Sequence, residues 1–230
     1  MAPRPSDISP HPILCVVLDG RVLGAKPEAF ARGLFEAGVD WIQLRDRSLP
    51  AKSLSERARA LVIARDAANR EDPKPGARRR VIVNRRIDVA LSVGADGAHL
   101  GFDALAEVEA RRLLSGGAAI GHSLHSLAEV ELQAKRVIDG ERYAHLAPIW
   151  DPISKKASRP ALGLALLERA CAAGLPIFAQ GGIDTARAAE AVAAGAAGIA
   201  VTGTISRAQS PIAVAGQLRR ALDGHFLPEG

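Results

Sequence analysis

Residues 176–206 read PIFAQGGIDTARAAEAVAAGAAGIAVTGTIS. A short apolar run ends in Gly181-Gly182, an Ala-rich stretch follows, and a second apolar run ends in Thr202-Gly203-Thr204. The pattern is strand, glycine turn, helix, strand, glycine turn. Glycines at such turns let the backbone approach a ligand with its N–H groups turned outward. Two of them after adjacent parallel strands make an anion cradle, as after strands seven and eight of (β/α)₈ barrels. The stretch predicts a phosphate cradle at Gly181, Gly182, Thr202 and Gly203 in an α/β fold of the (β/α)₈ TIM-barrel type.

Working outward, the chain supplies the six earlier units. Ile13–Leu18 is apolar throughout, as a parallel strand covered on both faces is. Pro27–Ala37 is an amphipathic helix closed by Gly38. Trp41–Leu44 is strand two. Ser53-Leu54-Ser55-Glu56 reads as a capping box opening a helix to about Ala68, and Asn69–Arg79 as a Pro/Gly/charged break. Val81–Val83, Gly97–Leu100, Ala118–Gly121 and Tyr143–Leu146 are strands three to six. Helices are expected over Ile87–Val93 and Leu105–Leu114, from the capping box at Ser126 to about Asp139, and over Leu164–Ala173. The last helix is expected over Pro211–Leu222. Strand–helix alternation argues for a parallel sheet. Eight units in 230 residues argue for one compact barrel over 13–224, preceded by a mobile Pro-rich tail, residues 1–12. The long segment 147–163 reads as a lid.

Composition narrows the function. Aromatic residues are 3% of the chain, so the core is expected to be aliphatic and Ala-rich, and aromatic platforms for single-stranded nucleic acid are not expected. The net charge of +5 comes mainly from arginine mixed with glutamate on helix faces, and it suits an anionic small substrate better than nucleic acid. Cys15 and Cys171 read as small buried hydrophobes of a cytoplasmic protein. No apolar run is long enough to span a membrane. Self-association into a homo-oligomer is compatible with all of this.

In a barrel, chemistry sits at the carboxyl ends of the strands. That position selects Gln43, Arg45, Arg47, Asn84, Arg85, Asp103, His122, Ser123, His125, Ser154, Lys155 and the two glycine turns. The set is rich in donors and cations, and guanidinium groups meet phosphate oxygens bidentately. Gln43, Arg45 and Arg47 alternate and share one face of an extended segment. His99, His122, His125 and His145 lie near the ends of strands four to six. They form no H-x-H pair and have no recurring carboxylate beside them, so no metal site is expected. One of them suits a general base, because histidine titrates near neutral pH. For His99 and His145 a hydrogen-bonded place inside the barrel is expected instead. Lys155 belongs to the lid, which is expected to bring it over a bound anion.

The phrases IQLRDR (42–47), GADGAHLG (94–101), GHSLHSLAE (121–129), APIWDPISKK (147–156), FAQGGI (178–183) and IAVTGTIS (199–206) resemble, in order and spacing, the thiamine-phosphate synthase family. That family includes a thiazole tautomerase branch. In the synthase branch, the resemblance implies that a pyrimidine pyrophosphate is joined to a thiazole phosphate with magnesium. Gln43, Arg45, Asn84, Ser123 and Lys155 would then hold the pyrimidine and its pyrophosphate, with Ser154 beside them. Gly181, Gly182, Thr202 and Gly203 would hold the thiazole phosphate.

The departures from the synthase pattern are specific. Arg47 replaces a lysine. Asn84-Arg85 replaces Asn-Asp, and Gly101-Phe102-Asp103-Ala104 replaces Gly-Gln-Glu-Asp, so both expected magnesium carboxylates are absent. Pro152 stands at the first loop threonine. Asn84-Arg85-Arg86-Ile87-Asp88 and Ser123-Leu124-His125-Ser126-Leu127 are similar to the tautomerase branch, which isomerises a thiazole carboxylate phosphate to its aromatic tautomer without metal. There His125 matches the residue that moves the proton, and His122 matches no assigned role. The expectation is a tautomerase-like enzyme needing no cofactor. A divergent magnesium-using synthase and a non-catalytic binder of thiamine intermediates are the alternatives.

Overall fold

The computed structural model describes residues 9, 11–73, 79–101, 104–114, 117–151 and 159–224. Eight parallel strands close into one barrel: β1 (Ile13–Leu18), β2 (Trp41–Leu44), β3 (Arg80–Asn84), β4 (Gly97–Leu100), β5 (Ala119–Leu124), β6 (Arg142–Leu146), β7 (Ile177–Gln180) and β8 (Gly198–Val201). β1 closes the ring by pairing with both β2 and β8. Between the strands run α1 (Gly20–Leu23), α2 (Pro27–Glu36), α3 (Ala51–Glu71), α4 (Ile87–Val93), α5 (Glu107–Leu113) and α6 (Leu127–Ala134). They are followed by α7 (Leu164–Cys171), α8 (Thr185–Ala193), α9 (Gly203–Ser206) and α10 (Pro211–Gly224). The expected (β/α)₈ alternation is therefore present, with the one-turn helices α1 and α9 in addition.

Local chemistry explains where the boundaries move. α3 opens at Ala51 behind Pro50, whose φ of −58° suits a helix entrance, so Ser53 lies inside the helix and is not its cap. The same helix continues past Ala68 because Arg79 donates to the carbonyls of Ala68 and Asp72 at 3.1 and 2.9 Å. α6 stops at Ala134, short of Asp139. Beyond it the Arg136 carbonyl accepts from Arg142 at 3.0 Å. β5 runs on through Leu124, so His122 and Ser123 are strand residues facing opposite ways.

The core has two layers of different composition. Between sheet and helices it is aliphatic, as expected. Inside the barrel it is not. Trp41, Tyr143 and Phe178 pack there with ring centroids 5.0–5.2 Å apart, joined by Cys15, and the tilted rings of His99 and His145 lie 4.3 Å apart. A few large rings fill the narrow interior, so a low aromatic fraction describes the outer layer only.

Most of the expected tail lies outside the described residues, but its end is anchored. His11 Nε2 lies 3.2 Å from Asp40, and Arg219 donates to the Pro12 carbonyl at 3.0 Å. Among the described residues no helix is long and apolar enough to cross a membrane.

Candidate active site

The carboxyl ends of the strands open into a cavity of about 1010 Å³. Arg45, Arg47, Asn84, Ser123, His125, Gly181, Gly182, Thr202 and Gly203 all line it, joined by Arg85, Gln180 and Arg159. Gln43 does not. It is 1% exposed and pairs with Val17 and Ile82, which face the interior, so it lies in the layer beneath the floor. Ser154 and Lys155 lie outside the described residues. Arg159, in the segment expected to form a lid, also lines the cavity, a role its sequence position does not signal.

One wall is cationic. Partial burial lowers the pKa of Arg45, and Arg47 and Arg85 beside it lower it further. Neither Arg45 nor Arg47 meets a carboxylate among the described residues, so this charge is directed at something anionic. Arg85 has φ 65°, the one positive φ at a non-glycine among the described residues. Such a conformation costs about 1–3 kcal/mol and gathers at functional sites. It follows from the turn that leaves β3, where the Arg85 N–H donates to the His99 carbonyl at 2.9 Å and the Ile87 N–H to the Arg85 carbonyl at 3.2 Å.

His125 sits where β5 passes into α6. Ser126 caps that helix by accepting from the Glu129 N–H at 3.2 Å, while the Glu129 carboxylate reaches back to the His125 N–H at 2.6 Å. The imidazole Nδ1 lies 2.7 Å from the Ala147 carbonyl oxygen. A carbonyl only accepts, so Nδ1 carries the proton and the neutral ring keeps its lone pair on Nε2.

The other histidines are structural or deeper. His99 and His145 are buried inside the barrel, as expected. Burial holds His99 well below the usual histidine range, and it holds His145 at about 3 despite a hydrogen bond to Gln180, which raises it. His99 Nε2 meets Ser123 Oγ at 2.9 Å. His122 faces outward, away from the cavity, and pairs with Glu107 at 2.9 Å. Arg142 also donates to Glu107, at 2.7 and 3.0 Å. Burial alone raises the Glu107 carboxyl; the bonds from His122 and Arg142 outweigh it and hold the group at about 2.

The glycine turns have a reason that precedes any ligand. Gly181 and Gly182 adopt φ 98° and 66°. A Cβ on Gly181 would lie 2.8 Å from Pro148, and one on Gly182 2.5 Å from the Asp151 carbonyl oxygen. The segment after β6 crosses here, with the Ile149 N–H donating to Gln180 at 2.8 Å. Arg187 donates to the Gly182 carbonyl at 2.7 Å, and Thr204 Oγ1 bonds the Ile183 carbonyl, joining both turns into one wall.

A (β/α)₈ barrel with a cation-lined mouth is a small-molecule enzyme architecture. A family model described as thiamine monophosphate synthase matches residues 14–205. A thiamine-phosphate synthase of Methanoculleus marisnigri is 40% identical over 82% of this chain and 84% of its own. One from Mycolicibacterium smegmatis is 39% identical over 84% of each. The solved structure of a thiamine phosphate pyrophosphorylase from Pyrococcus furiosus superposes with a TM-score of 0.78 over 94% of this chain and 98% of its own, at 24% identity, which speaks for the fold. The chain belongs to the thiamine-phosphate synthase family of thiamine biosynthesis.

The family's synthase branch implies magnesium. A hard dication needs oxygen ligands, carboxylates above all. Among the described residues the cavity offers guanidinium groups, amides and hydroxyls, and its one carboxylate, Glu129, is committed to the His125 N–H. The described donors alone do not fit magnesium; Asp103 lies outside the described residues.

Proposed function

We propose that the protein is a metal-independent thiazole tautomerase acting on a thiazole carboxylate phosphate. The observation that carries the reading is the Nδ1–Ala147 bond, which leaves the basic Nε2 of His125 as the ring's free nitrogen on a cavity-lining side chain. Nε2 takes a proton from one carbon of the substrate and returns it to another; one C–H bond breaks, one forms, and composition is unchanged. Gly181, Gly182, Thr202 and Gly203 hold the phosphate. Arg45, Arg47, Asn84, Ser123 and Arg159 hold the carboxylate end and its developing charge.

A second reading, a divergent synthase, is favoured by the names of the relatives and by the number of arginines at the mouth. The two part in one experiment. Purified protein is incubated with pyrimidine pyrophosphate and thiazole phosphate, with magnesium or with chelator. Thiamine phosphate formed only with magnesium sinks the tautomerase reading. No such product, together with isomerisation of the carboxylated thiazole in chelator, upholds it. Thiazole-phosphate binding without turnover leaves a binder.

A further inference from the structure

Behind Ser123 lies a buried hydrogen-bond chain that runs from the cavity floor into the barrel. Ser123 Oγ meets His99 Nε2 at 2.9 Å, and His99 Nδ1 meets the Tyr143 hydroxyl at 3.3 Å. Ser123 lines the cavity; His99 is 2% exposed and Tyr143 is 0% exposed. Burial holds the imidazole and the phenol neutral, so the chain carries orientation and not net charge.

The protons of this chain have two arrangements. In the first, His99 is protonated on Nδ1 and donates to the tyrosine oxygen, while Ser123 donates to Nε2. The phenolic proton of Tyr143 then needs an acceptor. Its neighbours among the described residues are His99 and the Gln43 side chain, and Gln43 acts on the phenol as a hydrogen-bond donor, so it supplies no acceptor. A buried donor would be orphaned, which is costly. In the second, Tyr143 donates to Nδ1, Nε2–H donates to Ser123, and the serine proton points away from His99, into the cavity. Every donor of the Tyr143–His99–Ser123 chain is then used, and successive bonds strengthen one another.

The backbone is cut to admit this chain. A Cβ on Gly121, the inward residue between Ala119 and Ser123, would stand 2.2 Å from Tyr143 Cζ and 2.5 Å from both the Tyr143 hydroxyl and His99 Nδ1. Its glycine is the slot through which tyrosine and histidine meet.

We infer that His99 and Tyr143 are positioning residues that hold the Ser123 hydroxyl as a hydrogen-bond donor to the anionic end of the ligand beside Arg45. The anion's identity as a carboxylate rests on the tautomerase reading; the direction of the hydroxyl does not. The chain makes Ser123 select against a ligand that presents a donor there, because the serine cannot turn its proton inward without orphaning the phenol.

The test is a double-mutant cycle read by calorimetric binding of the carboxylated thiazole phosphate and, separately, of inorganic pyrophosphate. Ser123→Ala is expected to weaken binding about tenfold, the worth of a hydrogen bond to a charged group. Tyr143→Phe frees His99 to accept from Ser123 and is expected to weaken binding by a smaller factor. The double variant is expected to bind no worse than Ser123→Ala alone, a coupling that a purely structural tyrosine would not show. Coupling with either ligand upholds the inference; coupling with pyrophosphate alone upholds it while moving the reaction to the transferase. Additive losses with both ligands overturn it. A second measurement needs no variant: ¹⁵N spectra of histidine-labelled protein are expected to show His99 protonated on Nε2, and an Nδ1-protonated His99 would overturn the inference.

Discussion

The Ala147 carbonyl accepts a hydrogen bond from His125 Nδ1 at 2.7 Å, across 22 residues of sequence. The bond ties the residue that follows β5 to the residue that follows β6 and fixes one tautomer of the ring. His125→Ala is therefore expected to lower the isomerisation rate by about 10²–10⁴, the range of general acid–base catalysis, while phosphate binding persists. Steady-state assays of the variant on the carboxylated thiazole, with product binding as control, check this.

Arg45 is crowded by Arg47 and Arg85 and has no carboxylate partner among the described residues. Arg45→Gln is expected to weaken anion binding about tenfold or more without lowering the melting temperature, since it relieves like-charge repulsion. Calorimetry and thermal unfolding, run on the same preparation, separate the two effects. A loss of stability equal to the loss of affinity would assign Arg45 a structural role.

Gly181 combines φ 98° with the close pass of Pro148. Gly181→Ala is expected to destabilise the ligand-free protein by about 1–3 kcal/mol, through conformation and overpacking together. Urea unfolding without ligand checks it. The glycine pair was legible in the sequence as a cradle, yet half of its reason is invisible there, because the crossing segment 148–151 comes from a distant part of the chain.

The same division holds elsewhere. The strand order and the mouth residues could be read, since apolar runs and polar strand ends alternate along the chain. What a side chain does after the barrel closes could not. Gln43 in β2 and Arg45 just after it alternate toward one face, but only closure shows that Gln43 falls in the layer below the floor. His122 and Ser123 are neighbours that strand pleating sends to opposite faces. Arg159 gave no signal beyond its place in a long loop. Tyr143, the chain's single tyrosine, gave none at all.

The Glu107 side chain is fully buried, and its carboxyl is held at about 2 against an ordinary 4.5, with the bonds from His122 and Arg142 outweighing the cost of burial. A depressed carboxyl stabilises the fold fully above its unfolded value. That stability, about 3 kcal/mol, is lost as pH falls from 4.5 through 2. Wild type is expected to be more stable than Glu107→Gln at pH 6, with the gap closing toward pH 2. Urea titrations across that range are the check; a gap independent of pH would contradict it.

The central claim is proton transfer on a carboxylated thiazole phosphate without metal. Proton NMR of that substrate with the purified protein in excess chelator tests it most directly. Conversion to the aromatic tautomer is expected, at a rate unchanged by added magnesium and lost in His125→Ala. Persistence of the starting tautomer, with thiamine phosphate appearing only when pyrimidine pyrophosphate and magnesium are supplied, would contradict it.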